Sequence, residues 1–192
     1  MSTRPGDRAA QALWGARRYR GGAMDIEFAI RSRRTHKAFA PDPLPREVVD
    51  ELLELGRWAP NHHLTNPWRF RVLGPVALVK LKQAAGPEAA AKLDRAPTLI
   101  AATFVRSDDP VQDQEDLCAT ACAVYAVLLA AHGRGLAGYW RTPGVLRTTP
   151  GLDALGIPPS ERFVALIHLG WPRQHKQPPP RLTSADVVTY LP

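Results

Sequence analysis

Apolar residues repeat at helical spacing between Pro45 and Gly56, opposite four acidic residues. Proline suits the first position of a helix and glycine commonly follows the last, so this pattern predicts an amphipathic helix bounded by these two residues. A shorter helix is predicted before it, with Asp25 as its cap and apolar residues between Ile26 and Ile30.

Longer apolar runs predict the rest of the fold. β-prone stretches indicate strands at 68–73, 97–105, 136–141 and 163–169, and helical patterns cover 76–85, 88–94 and 113–132, with short helix and turn at 143–156. The run at 97–105 is largely apolar throughout, which is typical of a central strand buried on both faces. The elements predict an α+β fold, in which helices flank a small central mixed or antiparallel sheet of four or five strands.

The two ends of the chain differ from the middle. Residues 1–23 hold five arginines and one acid, and we predict a basic N-terminal extension that forms a flexible arm or a short surface helix. As a hypothesis, Met24 is the native start. Residues 24–192 then form a single domain with an extended, proline-rich tail at 171–192, whose last piece, 187–191, is suited to add as a strand to another surface.

Composition bounds the class of protein. The net charge is +7, of which +4 lies in residues 1–23 and only +3 in the rest, so the body of the chain is mildly basic. A phosphate-bearing cofactor explains such a charge as easily as nucleic acid does. The longest apolar stretch, Leu117 to Ala131, is too short to span a bilayer comfortably and predicts a buried core or interface helix. Since no uninterrupted apolar run opens the chain, no secretory signal is predicted and we expect a cytoplasmic protein without a membrane partner. Because most of the net charge lies in residues 1–23, no nucleic-acid partner is expected either.

Few residues suggest metal or nucleophile chemistry. Cys118 and Cys122 are four apart in the long apolar helix, and we predict that both are buried as small apolar residues. His62 and His63 have no carboxylate or cysteine at ligand spacing, so no metal site is predicted. A Walker loop and a Ser-His-Asp arrangement are both missing from the sequence, and Gly133, Gly135 and Gly138 end the long apolar helix and lead into a strand.

Two segments carry the chemistry that remains. Residues 33–39 read Arg-Arg-Thr-His-Lys-Ala-Phe, and residues 58–70 read Trp-Ala-Pro-Asn-His-His-Leu-Thr-Asn-Pro-Trp-Arg-Phe. Three cations and a hydroxyl within five residues suit a phosphate ester, because they supply several charge-assisted hydrogen bonds at once. The second segment is a polar turn that leads into a strand, and Trp68 is expected to pack in the core.

In this order, these segments resemble the FMN-dependent nitroreductase family, and the likeness is strongest to its short single-domain subgroup. The pattern is Arg-Arg-Ser/Thr-x-Arg/Lys-x-Phe, then Ala-Pro-x-His/Ser, then Gln/Asn-Pro-Trp-x-Phe, and it is joined by Gly138-Tyr139-Trp140-Arg141-Thr142. The resemblance implies an intertwined homodimer with FMN at each of two interface sites. It also implies a ping-pong reaction, in which hydride passes from NADH or NADPH to flavin N5 and then to a nitroaromatic, quinone or similar small-molecule acceptor. Solvent supplies protons, so no catalytic side chain is expected.

The resemblance also assigns site residues by position. Those expected to bind FMN are Arg33, Arg34, Thr35, Lys37, Trp58, Pro60, Asn61, His62, Asn66, Trp140, Arg141, Thr142 and Arg181. Arg33, Thr35 and Arg181 match phosphate and ribityl contacts, and Lys37 matches a cation near flavin N1 and O2. Pro60 to His62 match a segment that the other subunit lays against the flavin.

Two positions depart from the family pattern. Trp58 stands where the subgroup often has arginine, and Asn66 replaces the usual glutamine. A weaker match links the segment Ala130, Ala131, His132, Gly133, Arg134 and Gly135 to NAD(P)H.

Other functions compete with this interpretation. The same fold and cofactor could serve an ene-reductase, a dehalogenase-like or a flavin-consuming reaction. A different class is an FMN-binding storage or sensor protein with little turnover. A nucleic-acid-binding role through residues 1–20 is a further alternative, which predicts steeply salt-dependent binding.

Overall fold

The structure, a computed structural model, describes residues 25–174, 176–177 and 179–192. The predictions about the extension at 1–23 and about Met24 lie outside these residues. The helices are α1 Ile26–Ser32, α2 Arg46–Gly56, α3 Pro75–Ala85, α4 Pro87–Ala90, α5 Pro110–Gly133 and α6 Thr149–Ala154. The strands are β1 Trp68–Val72, β2 Thr98–Val105, β3 Ala137–Arg141 and β4 Glu161–Gly170, and short 3-10 turns occupy His62–Leu64, Gly144–Arg147 and Ser184–Asp186.

The four strands form one sheet in the order β1-β2-β4-β3. Every neighbouring pair is antiparallel, so the α+β prediction is confirmed and, of the two expected sheet types, the antiparallel one is found. The register of β2 against β4 shifts between Ala102 and Thr103, which leaves Val164 as an extra residue in β4.

Both faces of the sheet are buried, because side chains of β2 point alternately to two clusters. Ile100 and Phe104 belong to a core shared with α2 and α5, whereas Leu99 and Ala101 belong to a second core with α3 and α6. The expectation of a central strand buried on both faces is therefore confirmed for β2.

Helix α5 lies across one face of the sheet. Asp109 caps it by accepting a hydrogen bond from the N–H of Val111, and Pro110 occupies its first turn, so the helix begins three residues earlier than predicted. By length and composition α5 could cross a membrane, but a core helix meets the same criterion. Here Val124, Val127 and other residues of α5 are buried against the sheet, which confirms the predicted core helix.

The prediction that both cysteines are buried is wrong. Cys118 and Cys122 are free and lie on an exposed side of α5. The sequence shows only that the helix is apolar on all sides, and its apolar pattern cannot tell which side meets the sheet. That exposed side also carries Tyr125, which is 40% exposed. An apolar helix face of this kind favours a covering partner.

Some predicted boundaries also need correction. Pro45 precedes α2 as its N-cap residue, and the helix starts at Arg46. Gly56 is the last residue of α2 and packs so closely on α5 that a Cβ there would lie 2.7 Å from Val127 Cγ2. The helix expected at 88–94 ends at Ala90 and continues as turn. Residues 187–191 form no strand within the described chain, so strand addition to a partner stays a prediction.

Candidate functional site

The basic loop, residues 33–37, lies along the free edge of β3. Arg33 ends α1 by donating its N–H to the carbonyl of Ala29. Thr35 then forms a parallel bridge with Gly138, and the N–H of His36 donates to the Gly138 carbonyl at 3.1 Å. Two of the sequence motifs, about one hundred residues apart, are thus brought side by side.

Three guanidinium groups gather at this loop and form what we call the arginine cluster: Arg33, Arg34 and Arg181. The Nε atoms of Arg33 and Arg34 are buried and have no hydrogen-bond partner among the described residues, whereas Nη1 and Nη2 of Arg34 donate to the carbonyls of Arg33 and Arg31. Partial desolvation, and then the charges of Arg181 and Arg33, lower the pKa of Arg34. No ion pair between described residues includes any of the three. Unbalanced cations with unused N–H groups fit a phosphate ester.

Further contacts fix the basic loop against α5. The guanidinium carbon of Arg33 lies 5.9 Å from the ring centroid of Tyr125. Ser32 Oγ donates to the Phe28 carbonyl and lies 2.7 Å from His132 Nε2. Lys37 is exposed on the same loop and forms no ion pair with a described residue.

The end of β3 presents its side chains to opposite faces of the sheet. Trp140 is half-buried and packs on the core beneath α5. Arg141 points the other way, where its Nη1 donates to the carbonyl of Lys92 at 3.0 Å and where burial lowers its pKa. Thr142 follows as an exposed residue. The Arg141 side chain, which was predicted to contact flavin, therefore faces away from α5, whereas the Trp140 side chain faces it.

The second motif forms a separate surface, the turn segment, residues 58–66. Thr65 donates to Asp116 Oδ1 at 2.6 Å, and His62 Nδ1 lies 2.7 Å from Glu115, so the segment is anchored near the start of α5. Trp68, just beyond it, is buried against Ala119 and Ala123, which confirms its packing role.

Backbone strain is concentrated in the turn segment. His63 and Leu64 both have φ at 52°, and Asn66 has φ at 46°. Residues other than glycine rarely adopt this left-handed backbone region, and a strained backbone persists only where surrounding contacts hold it in place. The amide of Asn66 donates to the Leu64 carbonyl, and Asn61 Oδ1 accepts from the Asn66 N–H. The Asn66 donors predicted for the flavin edge are thus used within the turn.

Helix α5 separates these two halves of the predicted site. The turn segment is anchored at Asp116, and the basic loop is anchored at Tyr125 and His132. At 1.5 Å per residue along the helix axis, Asp116 lies about 14 Å from Tyr125, which Arg33 contacts, and about 24 Å from His132, which Ser32 contacts. One chain therefore does not bring Pro60 to His62 onto the arginine cluster.

The segment weakly matched to NAD(P)H, 130–135, forms the C-terminal end of α5 and the turn after it. Arg134 Nη2 pairs with Glu51 at 3.0 Å, while its Nη1 is buried without a hydrogen-bond partner among the described residues. Gly135 adopts φ at 76° and its N–H donates to His132. The contact of His132 Nε2 with Ser32 Oγ places the segment beside the start of the basic loop.

Sequence reasoning missed Tyr125 and Glu54. Tyr125 was hidden in the apolar run of α5, where nothing distinguishes it from core residues. Glu54 binds both Arg57 and Trp58, and this spacing of three and four residues on a helix could have been recognised as a local contact.

Comparison with known proteins decides the family. A model described as the nitroreductase family matches residues 30–91 and 79–171. The chain belongs to the nitroreductase family. Its resemblance to this family, predicted from the basic loop and the turn segment, is confirmed.

Relatives and solved structures of this family extend the comparison. A candidate NAD(P)H nitroreductase of Bacillus subtilis is 27% identical over 178 residues, which cover 84% of this chain and 92% of that protein. A nitroreductase-like family protein from Bacillus cereus has the same fold, with a TM-score of 0.80 and 21% identity over 88% of this chain and 97% of its own. A candidate nitroreductase of Desulfovibrio desulfuricans in complex with FMN has a TM-score of 0.74 and 28% identity over 87% of this chain and 96% of its own.

Proposed function

We propose that this member of the nitroreductase family is a homodimeric, FMN-dependent NAD(P)H oxidoreductase that reduces nitroaromatics, quinones or similar acceptors. The observation that carries the proposal is the arginine cluster, whose unused N–H groups and unbalanced charge fit the phosphate of FMN. The Desulfovibrio desulfuricans protein, which is described as a complex with FMN, supports the choice of cofactor. The Bacillus subtilis protein, which is named for NAD(P)H, supports the choice of electron donor.

The chain's own residues would bind and orient the cofactor. Arg33 and Arg181 would hold the phosphate, Arg34 would add a contact to the ribityl chain or the pyrimidine edge, and Thr35 lies on the same loop with a hydroxyl for the ribityl chain. Lys37 would stabilise negative charge on the ring. When bound, FMN supplies two-electron redox chemistry, which lets hydride from NADH or NADPH reach an acceptor through one site. The backbone at Gly138 to Thr142 would line the ring.

A second copy of the chain would complete the site. The turn segment and the basic loop contact α5 at points about 14 to 24 Å apart. The turn segment of one copy would therefore meet the basic loop of the other copy across an interface. The exposed side of α5, with Cys118, Cys122 and Tyr125, supplies an uncovered apolar surface for that contact. The tail at 171–192, with Leu182, Tyr190 and Leu191 largely exposed, is a second surface that a partner would cover.

The remaining assignments stay within this proposal. The segment 130–135 would lie near NAD(P)H, because it adjoins the basic loop and Arg134 has an unused N–H. We place the enzyme in the cytoplasm, without a membrane or nucleic-acid partner. Of the described residues, no group of three or more His, Cys, Asp or Glu is arranged to hold a metal ion.

An absorption spectrum of the purified protein tests the proposal. Protein reconstituted with FMN should show oxidised-flavin bands, and these bands should bleach when NADH or NADPH is added without oxygen. Mass photometry should give twice the chain mass of 21.1 kDa. Flavin that binds but does not bleach would favour storage or sensing, and failure to bind FMN would overturn the proposal.

A further inference from the structure

Glu54 holds an exposed indole ring in place at the start of the turn segment. Trp58 Nε1 donates to Glu54 Oε1 at 3.2 Å, and Arg57 Nε donates to Glu54 Oε2 at 2.6 Å. The guanidinium carbon of Arg57 also lies 5.6 Å from the centroid of the Trp58 ring. Although Trp58 is 74% exposed, its ring is thus fixed by a hydrogen bond and a cation on one side.

The same carboxylate balances the charge of Arg57. The hydrogen bond between the two side chains raises the pKa of Arg57 and lowers the pKa of Glu54, so both groups are ionised. The pair contributes no net charge to the space beside Trp58. A bound molecule would meet a flat electron-rich ring and little electrostatic attraction.

An open pocket of about 450 Å³ adjoins this ring. Its lining includes Trp58, Pro60 and Leu64, and Leu64 is 76% exposed. The two asparagines in its wall use their amide N–H groups on the turn's own carbonyls. What the pocket offers is therefore mainly apolar surface.

The backbone around the pocket is fixed before anything binds. Leu64 is held at φ of 52°, and the segment is anchored by Thr65 on Asp116. A surface leucine in a left-handed conformation presents its side chain at the cost of local strain, a feature that is common at ligand-binding positions. Pre-organisation of this kind strengthens binding because less freedom is lost.

We infer that Trp58, which the family resemblance matches to a flavin contact, instead lines a pocket for the electron acceptor, and that this pocket selects uncharged, planar, aromatic acceptors by stacking on Trp58 beside Leu64. The inference rests on the proposed function, in which a second copy's arginine cluster brings the flavin to this segment. For a quinone the balanced reaction is NAD(P)H + H⁺ + quinone → NAD(P)⁺ + hydroquinone. Two electrons leave the nicotinamide, and the quinone gains both of them with two protons.

Truncating the ring tests the stacking. The FMN-loaded Trp58→Ala variant should show a ratio of kcat/KM for 1,4-benzoquinone to kcat/KM for ferricyanide about tenfold below that of the wild type, because ferricyanide accepts electrons without stacking. Trp58→Phe keeps an aromatic face and should retain the ratio within about threefold. Val76→Ala removes a comparably exposed apolar side chain far from the pocket and is the control, expected to keep the wild-type ratio.

Releasing Arg57 tests the charge balance. In Glu54→Gln the guanidinium loses its counter-charge, so the kcat/KM for 4-nitrobenzoate relative to nitrobenzene should rise about threefold, the effect of one exposed charge at roughly 6 Å in water. A relative rate that stays at the wild-type value would contradict the claim that this pair sets the preference for uncharged acceptors.

The outcomes separate this inference from the proposed function. If the flavin bleaches with NADH or NADPH but Trp58→Ala leaves the benzoquinone-to-ferricyanide ratio unchanged, the acceptor assignment is wrong and the proposed function stands. A loss of FMN in Trp58→Ala would also overturn it, since Trp58 would then be a cofactor contact. If the wild type neither binds FMN nor bleaches, the proposed function fails first.

Discussion

His168 on β4 is fully buried, and neither of its ring nitrogens has a hydrogen-bond partner among the described residues. Its ring centroid lies 5.5 Å from that of Tyr139, and the nearby charges that act on it are those of Arg141 and Arg95. Burial first, and then the two arginine charges, lower the pKa of His168 from 6.5 to about 4. The imidazole is therefore neutral in the folded protein down to that pH.

This lowered pKa makes stability depend on pH in a defined direction. Below pH 6.5 the unfolded chain takes up a proton at His168, whereas the folded protein does not until pH reaches about 4. Because the unfolded state binds more protons in this interval, the free energy of unfolding falls as the pH drops. One pKa unit corresponds to about 1.4 kcal/mol, so the loss from this group approaches 3 kcal/mol near pH 4, to order of magnitude.

Urea unfolding of wild type and His168→Leu measures this contribution. Both proteins should be saturated with FMN and compared at equal protomer concentration, because cofactor binding and dimerisation also shift stability. Near pH 7.5 the variant should be at least as stable as the wild type, since an apolar group of similar size replaces a buried polar ring without partners. Its advantage should grow by about 3 kcal/mol as the pH falls to about 4. Parallel stability curves for the two proteins would refute the reasoning.

Three more substitutions test the site and the fold. Arg33→Ala should weaken FMN binding about 10- to 150-fold, from the loss of a charged contact worth about 1.5–3 kcal/mol, and should release flavin on gel filtration, whereas Arg46→Ala at an exposed helix pair should not. Arg71→Ala should lower the free energy of unfolding by about 3 kcal/mol, because it removes the bidentate partner of the nearly buried Glu161 carboxylate on β4. A loss below about 0.5 kcal/mol, as expected for Arg46→Ala, would show that the Arg71–Glu161 pair contributes no more than a surface ion pair. Gly151→Ala should cost about 2 kcal/mol or more, since its Cβ would lie 1.9 Å from a backbone oxygen, while Gly144→Ala meets nothing within 4 Å and should keep wild-type stability.

The secondary structure was predictable where periodicity was strong. The amphipathic pattern between Pro45 and Gly56 gave α2 because one side of that helix is polar, and β2 was evident because both of its faces are apolar. Helix α5 was found but not oriented, since it is apolar all round and its sequence does not distinguish the side with Val124 from the side with Cys122. The error over the cysteines follows directly from that ambiguity.

The sequence predicted which segments form the candidate site but not how those segments are arranged in space. The spacing of the basic loop and the turn segment indicated the cofactor class, because clustered cations and hydroxyls suit a phosphate in any fold. The sequence could not show that Arg141 would bond to Lys92 instead of facing α5, since that depends on which way the first residue of β3 points. It also could not reveal Tyr125 beneath Arg33, which requires the packing of α1 on α5.

The length of α5 gives a physical reason for a shared site. A single chain could join the basic loop and the turn segment only if both were anchored within one or two turns of the same helix, but Asp116 lies about two and a half turns from Tyr125 and more than four turns from His132. The arginine cluster holds three cations without a carboxylate partner among the described residues, whereas Arg57, the one cation that lines the pocket beside Trp58, is paired with Glu54. If two copies paired through the exposed side of α5, the arginine cluster of each copy would lie beside the turn segment of the other copy, and the two-fold symmetry would give two such sites. On this reasoning α5 has two effects: its exposed apolar side favours association, and its length separates the basic loop from the turn segment so that only association would bring them together.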